Sequence, residues 1–140
     1  MRAILIDPTI EGGLVTEGDW EIDRGDVRSL RKILGVDSIE RAGPLSNGDM
    51  VYVDGYGLIS ATPEPFFVIQ GWAQPLAGRG LLMSETRAGY MAPPRTPLRK
   101  AKAMVTFPNV ELVGFKDFTD YDEATGAFVI GQEAVFRPKG

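Results

Sequence analysis

Neither cysteine nor histidine occurs among the 140 residues. The missing thiols exclude disulfides, thiolate metal sites and cysteine nucleophiles, and suit a reducing, cytosolic setting. The missing imidazoles exclude Ser-His-Asp and Cys-His arrangements, zinc sites of the usual nitrogen/sulfur type and imidazole acid–base pairs. Catalysis would have to rest on carboxylates, Lys, Tyr, Ser/Thr or an oxygen-bound metal. Long apolar runs are absent too. Residues 3–6 are too short for a secretory signal, and nothing approaches the roughly 20 residues of a membrane span. Net charge is −4, which disfavours general nucleic-acid binding. The expectation is a binding protein more readily than an enzyme, with no cofactor, no metal and no membrane.

What positive charge there is lies bunched. Residues 74–102 hold Arg79, Arg87, Arg95, Arg99, Lys100 and Lys102 against one acid, Glu85, for a local charge of +5 and −9 elsewhere. Charge segregated in this way marks where an anion or an acidic surface is met.

Local patterns predict the elements. Residues 2–6 are apolar on both alternating faces, as in a strand covered on both sides, and Asp7-Pro8 stops them. Alternation over residues 19–23 predicts a half-buried strand with Trp20 and Ile22 inward. Asp26 reads as a helix N-cap and Gly35 as the stop, with Val27, Leu30, Ile33 and Leu34 at helical spacing between them. Residues 38–44 and 50–54 flank Asn47-Gly48, a hairpin signal in which both turn residues take positive φ. Gly55 and Gly57 break the second of these strands, and residues 58–60 continue it briefly. Residues 66–72 predict a central strand, with residues 80–83 returning beside it. Residues 85–97 read as a Gly/Pro-punctuated loop. Thr96 then caps a short helix opened by Pro97, with Leu98, Ala101 and Val105 inward and Arg99 and Lys102 outside. Residues 110–118 and 127–130 predict two last strands around an acidic turn at 120–126. The fold class is α+β, a mostly antiparallel sheet with one or two short helices packed on it, in a single domain over 1–140.

Gly78-Arg79-Gly80 can turn backbone N–H groups and a guanidinium toward a phosphate, though the same residues also suit a plain tight turn. It is neither a Walker loop nor a dinucleotide fingerprint. Trp72, Gln74 and Tyr90 accompany Arg87, Arg95, Arg99 and Lys102, the aromatic-plus-cation composition that a nucleobase and its phosphate need. These ten residues, Gly78, Arg79 and Gly80 included, are the candidate ligand-binding set; no catalytic or metal set is singled out. Asp117, Asp120, Asp122 and Glu123 fit a solvated turn better than a cation loop. Ser60 and Ser84 have no activating neighbour in sequence.

Residues 1–8 (Met1-Arg2-Ala3-Ile4-Leu5-Ile6-Asp7-Pro8) and the stretch Gly71-Trp72-Ala73-Gln74-Pro75-Leu76-Ala77-Gly78-Arg79-Gly80 resemble a family of small phage and prophage proteins. Its motif reads Gly-Tyr-Pro-Gln-Pro-Leu-Ala-Gly-Lys/Arg-Gly, and Trp72-Ala73 departs from the usual Tyr-Pro. The resemblance covers about residues 1–105; residues 106–140 stand outside it as a C-terminal β extension. It carries no assigned chemistry. It implies a phage accessory protein in the bacterial host cytoplasm that acts by binding, in counter-defence. Together with the basic, glycine-containing loop this predicts capture of a nucleotide-type anionic small molecule, and because such sites are often built between subunits a homo-oligomer is a reasonable expectation. The alternative is a protein–protein interaction module whose basic loop blocks a host protein.

Overall fold

The computed structural model describes residues 1–55, 65–108, 110–122 and 127–138. They form two compact units, Met1–Pro108 and Asn109–Gly140. The first contains β1 (Arg2–Asp7), β2 (Leu14–Asp19), a 3₁₀ turn (Val27–Leu30) running into α1 (Arg31–Leu34), β3 (Ile39–Pro44), β4 (Met50–Asp54), β5 (Phe66–Ile69), β6 (Leu76–Ala77), β7 (Gly80–Glu85), β8 (Met91–Ala92), α2 (Leu98–Met104) and β9 (Val105–Thr106). The main sheet runs β2-β1-β7-β4-β3, with β8 added to β7, and all its pairings are antiparallel. A smaller sheet runs β6-β5-β9. The α+β class is therefore observed.

Alternation along the central strands divides the core in two. Ile4, Ile6, Val51, Val53 and Leu82 pack with Phe67 and Ile69 of β5, Ala101 of α2 and Val105 of β9. Ala3, Tyr52, Leu81 and Met83 pack on the opposite face with Leu30 and Leu34. Because strand side chains alternate, one sheet feeds both layers. Tyr52 is fully buried, and its hydroxyl donates to Glu85, which also pairs with Arg41 Nε at 2.8 Å. Burial first, then that carboxylate, holds the Tyr52 phenol well above its ordinary range, so it is a donor and not a base at neutral pH.

Several expectations are corrected. Residues 20–23 are not a strand: the β1–β2 ladder ends at Arg2 opposite Asp19, and one further bond, Trp20 N–H to Met1 O at 3.0 Å, closes it. Trp20 and Ile22 still pack inward. Val27 is exposed rather than inward, because the first turn is 3₁₀ and its side chains fall on a different spacing. Asp26 does cap that turn through Arg28 N–H, and Gly35 ends α1 at φ 68°. The Asn47-Gly48 turn has one positive φ, at Gly48 (87°); residues 45–49 form a longer loop closed by Leu45 N–H to Asp49 O. The strand at 66–72 stops at Ile69, where Gly71 (φ 87°) turns the chain, and it lies in the small sheet. β7 does not return beside it but is the centre of the main sheet, between β1 and β4, buried over Gly80–Ser84 as a doubly covered strand must be.

The second unit is an antiparallel ribbon of β10 (Val110–Asp122) and β11 (Ala127–Pro138), with a register shift between Leu112 and Gly114. Asp120 and Asp122 belong to the ladder, opposite Val129 and Ala127, so the acidic turn is shorter than expected. Residues 57–60, including Ser60, and Glu123 lie outside the described residues.

Arg79 ties the residue just before β7 to the end of β1. Its Nε donates to Asp7 Oδ2 at 3.1 Å, and the Asp7 side chain is only 6% exposed. Burial by itself would raise the Asp7 pKa. The Thr9 hydroxyl and N–H and the Arg79 guanidinium together outweigh it and hold the carboxyl below its ordinary 3.8. The sign follows from linkage. A depressed folded-state pKa contributes stability in full above 3.8 and loses it as pH falls through the folded value. Arg79→Ala is expected to cost on the order of 1–2 kcal/mol at pH 7, with the difference from wild type shrinking in acid. Urea melts at pH 7 and pH 3 measure it; an equal loss at both pH values contradicts the pair.

Candidate functional site

A groove of about 360 Å³ is walled by three stretches far apart in sequence. The first wall is α2. Leu98, Ala101 and Val105 turn to the core, which leaves Lys100, Ala103 and Met104, spaced i, i+3 and i+4, on the groove face. Lys100 is exposed there. The floor is the end of β5. Gln70 N–H donates to Met104 O at 2.8 Å and Trp72 N–H to Ile69 O at 3.0 Å, so Gln70, Gly71 and Trp72 turn beneath the helix. The Trp72 indole lies over the Gly43 backbone: a Cβ there would sit 3.8 Å from the ring. The second wall is Leu45, Ser46 and Asn47 of the β3–β4 loop.

Asp49 joins the walls. Fully buried, its carboxylate accepts from Thr96 N–H at 2.8 Å, the Thr96 hydroxyl at 2.7 Å and Arg95 N–H at 3.1 Å. Asn47 Nδ2 donates to Thr96 Oγ1 at 2.9 Å, and Asn47 Oδ1 accepts from Asp49 N–H. Thr96 is thereby taken up by Asp49 instead of capping α2, whose N-cap is Pro97 with no side-chain bond.

The ten candidate residues do not share one face. Trp72 lines the groove, and Arg95 joins it through Nη1 to Asn47 O at 3.1 Å. Gln74 sits half-buried in the connection to β6. Arg99 is exposed on α2, and Lys102 lines a separate hollow of about 270 Å³ with Leu14 and Phe107. Arg87 and Tyr90 lie in the turn between β7 and β8, where Arg24 stands 5.2 Å from the Tyr90 ring centroid. The Gly78-Arg79-Gly80 phosphate cradle is corrected. Gly78 N–H is donated to Pro65 O at 2.9 Å, Arg79 is held by Asp7, and Gly80 is in register with both Ile6 and Val53. Gly78 N–H and Arg79 Nε are thus engaged within the fold.

The polar groove residues Lys100, Ser46, Asn47, Gln70 and Thr96 are absent from the candidate set. The spacing of Lys100 with Met104 on a short helix was the available signal. A second cleft, about 600 Å³, is lined by Trp20, Glu21, Asp23, Ser29, Lys32 and Ile33; its two acids against one base repel an anion. Among the described residues the first groove has no acid in its lining and one lysine. Ser84 is buried within β7. Among the described residues no cluster of three acidic side chains is poised for a metal ion, and no helix is long and apolar enough to cross a membrane.

No family model, curated protein or solved structure matches this chain.

Proposed function

We propose that this chain is a non-enzymatic binding protein that captures an anionic, nucleotide-type small molecule in the groove between α2 and the β5 turn. The observation that carries the reading is the presence of an aromatic face, Trp72, and an exposed ammonium, Lys100, in one groove with no carboxylate among its described lining residues. An indole stacks on a base of any sequence, and a lysine meets phosphate as a point charge. Ser46, Asn47 and Gln70 supply neutral polar groups around them. The phage resemblance fits sequestration of a host signalling nucleotide in the bacterial cytoplasm.

Calorimetric titration with mononucleotides tests this. Lys100→Ala is expected to weaken binding at least about tenfold while leaving the melting temperature of the free protein unchanged, because Lys100 is exposed. Trp72→Ala is expected to cost about 5- to 100-fold through lost stacking. Arg99→Ala, on the same helix but outside the groove, is expected to bind as wild type. A nucleotide panel without a response at low salt overturns the reading and turns attention to a protein partner.

A further inference from the structure

Resting on that reading, we infer that the groove selects a ligand carrying one phosphate and discriminates against di- and triphosphates. The lining offers one formal charge, Lys100; its other polar groups, Ser46, Asn47, Gln70 and Thr96, are neutral. Arg95 borders the groove through Nη1 to Asn47 O but is not among the lining residues. Residues 56–64, which follow β4, contain no lysine or arginine, so they bring no second cation to the unit. Behind Thr96 stands the fully buried Asp49 carboxylate, which already takes up the Thr96 N–H and hydroxyl, so Thr96 has no donor left for a further phosphate. A second phosphate would enter with no further cation among the described lining residues, in a chain of net charge −4. Volume agrees: about 360 Å³ is at the small end of the roughly 300–1,000 Å³ of ligand pockets, enough for one base and its sugar phosphate.

The experiment is a calorimetric series on the full chain with adenosine, AMP, ADP and ATP, and with the matching guanosine compounds, at low and physiological salt. In at least one series the monophosphate is expected to bind about tenfold tighter than both the nucleoside and the triphosphate. Lys100→Ala is expected to erase the advantage of monophosphate over nucleoside, with Lys100→Arg restoring part of it. If ADP or ATP binds as tightly as AMP, or tighter, the selectivity is overturned while the nucleotide reading stands. If no compound in either series binds, that reading falls and this inference with it.

Discussion

Asp49→Ala is expected to lower the melting temperature by on the order of 10 °C. The carboxylate is fully buried and accepts from Arg95 N–H, Thr96 N–H and the Thr96 hydroxyl, with a longer contact from Asn47 Nδ2 at 3.5 Å. Alanine leaves the two buried Thr96 donors and the part-buried Arg95 N–H without this partner, and each buried unsatisfied donor costs about 1–3 kcal/mol. A total of roughly 3 kcal/mol corresponds to a melting shift on the order of 10 °C for a unit of this size. Asp49→Asn preserves the shape, but its amide nitrogen has to face an N–H donor, so asparagine restores only part of the loss. Nucleotide binding measured well below both melting temperatures is expected to weaken as well, because Thr96 and Asn47 lose the group that places them. Thermal melts of the three proteins with calorimetry at about 10 °C check both halves. A melting temperature within about 2 °C of wild type for Asp49→Ala contradicts the role assigned to this carboxylate.

That dependence also explains how much of the site was legible beforehand. Features carried by neighbouring residues read correctly: the strand ending at Asp7-Pro8, the Asp26 cap, the Gly35 stop, and the inward face of Leu98, Ala101 and Val105. Each depends on local sterics or on a period that a short window reveals. The order of strands does not. Residues 66–69 and 80–85 are both short apolar runs, and only pairing with β1 and β4 makes the second one central. The groove is less legible still, because Asp49 and Thr96 are 47 positions apart. Charge bunched along the chain was not charge bunched in space. Of the six cations in the basic window, Arg79 is taken by Asp7, 72 residues away, whereas Lys100 comes to the groove by its position on α2. A helix places its residues at 100° intervals, so neighbours in sequence such as Arg99 and Lys100 leave on different faces.

Gly80→Ala separates the two roles that the Gly-Arg-Gly turn could have. Were this glycine there to let backbone approach a phosphate, alanine would weaken ligand binding and spare stability. The structure gives it another task. Gly80 lies at the start of the central strand with its φ in the ordinary range, and a Cβ added there would stand 2.6 Å from Cζ and 3.1 Å from Cε1 of Phe67. Phe67 is itself fully buried, so its ring cannot swing into solvent to make room. Overpacking of this kind costs about 1–3 kcal/mol, and the middle of that range is a melting loss of about 8 °C. The affinity of the folded fraction for mononucleotide is expected to stay within about twofold of wild type, since Gly80 does not line the groove. Phe67→Leu shortens the ring that the new methyl meets, so Gly80→Ala combined with Phe67→Leu is expected to be less destabilised than the sum of the two single changes. That sign of coupling is what contacting residues show in a double-mutant cycle. Gly80→Ala that melts like wild type yet binds nucleotide more than tenfold more weakly would return this turn to the ligand and remove the steric account.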